Sequence, residues 1–335
     1  MSYVTIRDVA REAGVSVAAV SQILHDKGRF SDETRRLVRD TVEKMGYVPD
    51  QRARSMRSSE TKTVGLLVPD LRNPYFADLV SSMEDELYRR GFTTLIGSSG
   101  ESVERQDSFI ENLLGQRIDG AIVVPQGVDS SGVESLVRRG LPLVFVDRRV
   151  PSVDSVPFVV SDPYPGIRSA VAELMRLGHR RIGFVSHPAL GSFSVNEREV
   201  AFRAITGELL VDGETTVVNC DATYESRQRA LDELAESGMS AVVFAYSPDA
   251  ITMLGLMTDR GLEVGADMSV VSFDDIAAFT MMTPSVSVIS QQAETMGRQG
   301  VELLMRQLVG GGEAAGTQYV PTVFIARKSS SALCR

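Results

Sequence analysis

The stretch "TIRDVAREAGVSVAAVSQIL", Thr5 to Leu24, decides how this chain is read. Thr5 can accept a hydrogen bond from the first free amides of a helix. Asp8, three residues on, can reach back to it, the reciprocal arrangement of a capping box. Ile6, Val9, Ala10 and Ala13 then fall on one helical face. Gly14 interrupts at once with a residue free to take positive φ, and Ser16 can cap a second helix whose apolar face is Val20, Ile23 and Leu24. Helices joined this tightly must approach closely, so Ala10 supplies a small facing side chain, Gly14 the turn and Val20 an aliphatic anchor. That is the spacing of a helix-turn-helix, whose second helix can enter the major groove of DNA. An αα-hairpin that packs on a larger domain would carry the same caps. A third helix is expected from Ser31, with Asp32 and Glu33 in its first turn. Leu37, Val38, Val42 and Met45 should line its inner face, and Gly46 should end it.

Charge separates this segment from the rest of the chain. The whole carries a net −9, yet residues 1–62 hold 12 Lys and Arg against nine Asp and Glu. A basic segment on an acidic body suggests that only the small part meets a polyanion. "PDQRARSMRSSETK", Pro49 to Lys62, places Arg52, Arg54, Arg57 and Lys62 around Ala53 and Met56 at roughly helical spacing. A solvated linker could look much the same.

From Val64 the pattern changes to short apolar runs: "VGLLVPD", "TTLIGSS", "DGAIVVP" and "PLVFVD", then "RIGFVSH", "TTVVNC", "AVVFAY", "SVVSFD" and "SVSVIS". Buried strands alternating with stretches of helical length imply βαβ units and parallel sheets. Two such series predict two similar doubly wound α/β subdomains with a cleft between them. Ligands of open α/β sheets sit at the carboxyl ends of strands. Asn73-Pro74, Asp147-Arg148 and Asp274-Asp275 stand at those ends, as helix caps or as ligand contacts.

These features together resemble the lactose/galactose repressor (LacI/GalR) family of bacterial transcription factors. "TIRDVAREAGVSVAAVSQIL" with "GYVPDQRARSMRS" is similar to its headpiece and hinge, and "NPYF", "VDRR", "LGHRRIGFV" and "SVVSFDD" to its effector-binding core, itself like periplasmic sugar-binding proteins. The resemblance implies an all-α headpiece over residues 1–48 and a hinge over 49–62. It implies an effector-binding N-subdomain over 63–161 with 291–320 and a C-subdomain over 162–290 with 321–335. Ser16, Val17, Ala18, Ser21 and Gln22 would then face the major groove, with Val17 and Ala18 as the main base-facing pair. Thr5, His25, Arg52 and Arg57 would meet phosphates. Ala53, Arg54 and Met56 would enter the minor groove, Met56 as the wedge where the family usually has leucine. Gln22 stands where the family often has arginine, which shifts the expected preference from guanine toward adenine. Tyr75, Phe76, Asp147, Arg198, Tyr224, Asp249 and Asp274 would contact the effector. Asp249 is an extra carboxylate that favours a hydroxyl-rich or cationic ligand.

Other classes fit less well. There is no GxGxxG after a strand, no GxxxxGK[ST], no HExxH and no GxSxG, so an enzyme is not expected. His25, His179 and His187 show no metal-ligand spacing, and neither do Cys220 and Cys334, so no metal or cofactor is expected. A solute-binding protein of a sugar transport system is the alternative. It would need an export signal, and "MSYVTIRDVARE" has no apolar h-region. The expectation is a cytoplasmic repressor that binds a pseudo-palindromic operator as a homodimer under control of a sugar, sugar phosphate or nucleoside. Dimers are expected over tetramers because "KSSSALCR" shows no heptads.

Overall fold

A computed structural model of the chain describes residues 4–48, 60–127, 129–310 and 316–333. The chain divides into two compact units, Met1–Thr61 and Lys62–Arg335.

The first unit is three helices, α1 (Ile6–Glu12), α2 (Val17–Leu24) and α3 (Asp32–Met45). Thr5 and Asp8 form the capping box, Ser16 accepts from the Ala19 amide, and Ser31 accepts from the Thr34 amide. The turn after α1 depends on Gly14 at φ +65°, which lets the Val15 amide reach back to the Ala10 carbonyl at 3.0 Å. Val9, Ala10, Ala13, Val20, Ile23 and Val38 make the core, with Val42 and Met45 packed on it. Leu37 departs from the expected inner face, being 50% exposed. At about 100° per residue, Thr41, Val42 and Met45 all fall within about 60° of Val38 around the helix, whereas Leu37 falls about 100° away and outside that stripe. The stripe is Val38, Thr41, Val42 and Met45, with the Thr41 hydroxyl returned to the Leu37 carbonyl. Arg52, Ala53, Arg54, Met56 and Arg57 lie outside the described residues.

The second unit contains two six-stranded sheets. The first is built from β1 (Thr63–Val68), α4 (Pro74–Arg89), β2 (Thr93–Ser98), α5 (Val103–Gly115), β3 (Gly120–Val123), α6 (Ser131–Arg138), β4 (Leu143–Val146) and β5 (Phe158–Asp162). The chain then builds the other half: α7 (Pro163–Arg176), β6 (Arg181–Ser186), α8 (Phe193–Leu209), β7 (Glu214–Asn219), α9 (Tyr224–Glu236), β8 (Ala241–Phe244), α10 (Ser247–Asp259), β9 (Ser269–Phe273), α11 (Ala277–Met281) and β10 (Ser287–Ser290). It returns through α12 (Ala293–Leu308) and β11 (Thr317–Pro321), and ends in β12 (Val323–Ile325). Strand orders are β11-β5-β4-β3-β1-β2 and β12-β10-β9-β8-β6-β7. The two halves therefore repeat one winding, β1 matching β6, β2 matching β7, β3 matching β8 and β4 matching β9. Pairing is parallel except between β10 and β12. Helices cover both faces of each sheet, which is why the strands read as unbroken apolar runs.

Three chain crossings join the halves, and they are hydrogen-bonded to one another. Ser161 of β5 donates to the Gln291 side chain at 2.7 Å, and the Thr322 hydroxyl donates to the Asp162 carbonyl at 2.8 Å. The Gln292 side-chain amide donates to the Pro321 carbonyl, with Gln292 held at φ +56°. Among the described residues no helix is long and apolar enough to cross a membrane.

Candidate functional site

In the first unit, Ser16, Val17, Ala18, Gln22 and His25 are exposed and Ser21 is half-buried, so α2 presents this face outward while Val20 and Ile23 anchor it. Val17, 39% exposed, is an apolar side chain that this small core leaves outside. Thr5 is exposed too, but its hydroxyl is occupied by Asp8 at 2.6 Å. The Gln22 amide oxygen lies back toward the α2–α3 loop, 2.7 Å from where a Cβ on Gly28 would stand. His25 is the C-cap residue of α2, in keeping with a helix-end role.

In the second unit the carboxyl ends of both sheets converge. Asp147 follows β4 and Asp274 follows β9, the matched strands of the two halves. Their amides make matched bonds, to Val159 at 2.8 Å and to Ile289 at 3.0 Å. Both are held left-handed, at φ +63° and +71°, a conformation that aspartate tolerates better than most residues. Such backbone at a strand end marks a site where position outweighs comfort. Both carboxylates are buried. The Tyr75 hydroxyl donates to Asp147 at 3.1 Å, and Asp274 accepts from Ser247 at 2.7 Å and from Gln291 at 2.6 Å.

Electrostatics tie the halves together at this point. Burial pushes the Asp274 carboxyl above its ordinary value, Arg198 opposes that, and Asp147 across the cleft adds to it. Burial likewise raises the Tyr75 phenol well above its ordinary range, helped by Asp147 and Asp274. Arg198 lies 4.4 Å from the Phe273 ring centroid and donates to the Ala245 carbonyl, yet its Nε has no hydrogen-bond partner among the described residues. Arg148 bonds Glu101 and Gln126, and its Nε, 3.9 Å from an Asp147 carboxylate oxygen, makes no hydrogen bond among the described residues. Phe76 is buried beside it, with the guanidinium 5.7 Å from the ring centroid. A buried donor without an acceptor costs about 1–3 kcal/mol, so each of these atoms can take an acceptor from a bound molecule. Tyr75, Phe76, Asp147, Arg198 and Asp274 are thus gathered at one place. Arg148, Ser247 and Gln291 join them; only Arg148 had a sequence signal, in "VDRR".

Two expected residues stand apart. Tyr224 is the first residue of α9, 51% exposed, and makes no hydrogen bond to this cluster among the described residues. Asp249 is buried, and its carboxylate is already engaged. One oxygen meets His187 Nδ1 at 2.7 Å and Cys220 Sγ at 3.2 Å, while the other accepts from Arg227 Nε at 2.9 Å. Both of its oxygens are thus engaged by residues of the second half. His187, Cys220 and Asp249, which show no metal-ligand spacing in the sequence, come together in the fold. Their candidate ligand atoms all lie within 4.8 Å of one another.

Comparison with known proteins agrees with both units. Residues 5–50 match the bacterial regulatory proteins of the lacI family, and residues 171–330 match the periplasmic binding protein-like domain. The chain is 30% identical over 308 residues to catabolite control protein A of Priestia megaterium, covering 91% of this chain and 92% of that one. The lac repressor dimer bound to operator and the anti-inducer ONPF superposes with a TM-score of 0.84 at 24% identity, over 99% of this chain and 100% of that one. A complex of the transcriptional regulator CelR with cellobiose superposes with a TM-score of 0.71 at 27% identity, over 98% and 100%. A headpiece of this design on a twice-wound core, shared along nearly its whole length with such a relative, makes this chain a member of the LacI family of bacterial transcriptional regulators.

Proposed function

We propose that the chain is a cytoplasmic transcriptional repressor that binds a pseudo-palindromic operator as a homodimer and is switched by a hydroxyl-rich small molecule held between the two halves of its core. The carrying observation is the matched pair of buried left-handed aspartates, Asp147 and Asp274, beside an arginine whose Nε awaits an acceptor. Carboxylates accept from hydroxyls and Arg198 donates to ring or hydroxyl oxygens, the donor–acceptor alternation of a sugar. Tyr75 and Phe76 supply an apolar wall, and the cellobiose bound by CelR supports the same ligand class.

On the DNA side, Val17 and Ala18 would contact thymine methyl groups, Ser16 and Ser21 phosphates, and Gln22 an adenine after its amide turns outward. Thr5 and His25 would brace phosphates, as would Arg52 and Arg57 of the hinge. Ala53, Arg54 and Met56 would take the minor groove. Two-fold protein symmetry demands two-fold operator symmetry. Coupling from cleft to operator follows a physical chain. Asp274 is bonded to Gln291, Gln291 to Ser161, and these two residues sit on different crossings between the halves. A ligand that pulls on Asp274 therefore biases the angle between them.

The test is selection of bound sequences from random duplex DNA at fixed moderate salt, with and without a panel of sugars, sugar phosphates and nucleosides. A pseudo-palindrome whose recovery changes with one compound is the expected result. Weak, salt-sensitive, sequence-blind binding under every condition overturns the proposal.

A further inference from the structure

We propose that His187, Cys220 and Asp249 form a binding site for one transition-metal dication of the Zn²⁺ class, set in the wall of the second half beside the effector cleft. This inference is independent of what the cleft binds.

Three adjacent strands build the site. His187 directly follows β6, Cys220 directly follows β7, and Asp249 lies in the first turn of the helix after β8. In the sheet these strands run β8-β6-β7, so three residues far apart in sequence meet at one sheet end. All three are buried, at 2%, 4% and 0% exposure. The separations are 2.7 Å from His187 Nδ1 to Asp249 Oδ2, 3.2 Å from Cys220 Sγ to the same oxygen, and 4.0 Å from sulfur to Nδ1. Ligand atoms around a tetrahedral zinc stand about 3.3–3.5 Å apart, so adjustments of roughly half an ångström centre an ion among them. Thiolate, imidazole and carboxylate together suit zinc, cobalt or a like ion and not magnesium or calcium.

The surroundings fit the same use. Arg227 holds the second oxygen of Asp249 through Nε at 2.9 Å and Nη2 at 2.8 Å, which orients the carboxylate as an outer-shell partner does. Asp221, next to Cys220, is committed to the Thr223 amide and hydroxyl and stays out of the set. The Tyr246 ring packs edge-on against His187, 5.3 Å between centroids. Without metal, the Cys220 thiol donates to one Asp249 oxygen and His187 Nδ1 faces the same oxygen. On binding, the ion takes that place: the thiol proton leaves to solvent, and a neutral imidazole with its proton on Nε2 offers the Nδ1 lone pair. Three protein ligands leave the fourth position to water or to an oxygen of the cleft ligand.

The test uses the full-length chain, stripped with chelator and titrated with Co²⁺. One Co²⁺ per chain, with a sulfur-to-cobalt charge-transfer band and tetrahedral visible bands, is expected. Cys220→Ser loses the charge-transfer band, Cys334→Ser keeps it, and Arg227→Gln weakens binding about ten- to a hundredfold. Absence of any thiolate band at excess Co²⁺, or a band that survives Cys220→Ser, overturns the proposal. X-ray absorption on the wild-type zinc complex gives a reading that needs no variant. One sulfur at about 2.3 Å with nitrogen and oxygen at about 2.0 Å supports the site, and a sphere of nitrogen and oxygen alone overturns it.

Discussion

The two halves of the core share a winding and differ in what they place at its open end. Where the second half has His187 after β6 and Cys220 after β7, the first has Pro69 and Ser99. The matching is fixed by backbone bonds, Cys220 to Ser186 and Ser99 to Val68, both at 3.0 Å. Asp147 and Asp274 match as well, yet their supports differ. Asp147 accepts from the Tyr75 hydroxyl of its own half, whereas Asp274 is braced by Ser247 and by Gln291 at a crossing. The lesson is a division of labour within one repeated design. The first half offers an aromatic wall and a carboxylate, and the second carries the braced carboxylate, the arginine and the link to the crossings.

That asymmetry gives the largest expected effect. Asp274→Ala removes a braced carboxylate that also faces Arg198, and should lower effector affinity by about 2–4 kcal/mol, roughly 30- to 1,000-fold. Asp147→Ala should cost about tenfold less. Calorimetric titration of the two variants with the identified effector decides this, and equal losses would erase the distinction between the halves. Gln291→Ala comes next. It cuts the bond between Asp274 and Ser161, so it should remove about 1–2 kcal/mol of coupling while effector affinity falls less than tenfold. Operator affinity measured with and without effector checks it.

Much of this is legible in the sequence, for local reasons. Caps at Thr5, Ser16, Ser31 and Asn73, the glycine turn at Gly14 and the apolar strand runs each depend on a few adjacent residues. Leu37 escapes a reading that places four apolar residues on one stripe without counting the helical angle between neighbours. Asp147, Arg198 and Asp274 are visible as strand-end and motif residues, but their left-handed backbone and mutual approach are not. The cluster of His187, Cys220 and Asp249 is illegible in principle. Cys220 stands 33 residues from His187 and 29 from Asp249, and only the strand order brings the three together. Asp249 reads as a free carboxylate for the same reason, since Arg227 and His187 reach it through tertiary structure alone.

A pH dependence sharpens the contrast by a smaller amount. Burial is the chief reason that the Asp274 carboxyl sits above its ordinary 3.8. A carboxyl raised in the folded state stabilises the fold below its unfolded pKa and loses that contribution as pH climbs through the folded value. Wild type should therefore lose stability relative to Asp274→Asn from about pH 4 upward. The loss is ~1.4 kcal/mol for each pH unit until the folded pKa is passed. Thermal melts of both proteins across that range measure it, and parallel curves would remove the burial argument.

The smallest expected effect concerns Tyr224, which matches Val103 at the start of α5. Each opens a 13-residue helix under a hydroxyl cap, Ser102 in one half and Thr223 in the other. Tyr224 is half exposed, and the cleft cluster of Asp147, Asp274 and Arg198 is assembled without it. An aromatic ring that stacked on a bound sugar would be worth about a kilocalorie or more, several-fold in affinity. With the ring at the start of α9, Tyr224→Ala should leave effector affinity within about twofold. A loss of tenfold or more in the same calorimetric titration would mean that the effector draws α9 inward. The second half would then close on its ligand with a ring, the role proposed for Tyr75 and Phe76 in the first half.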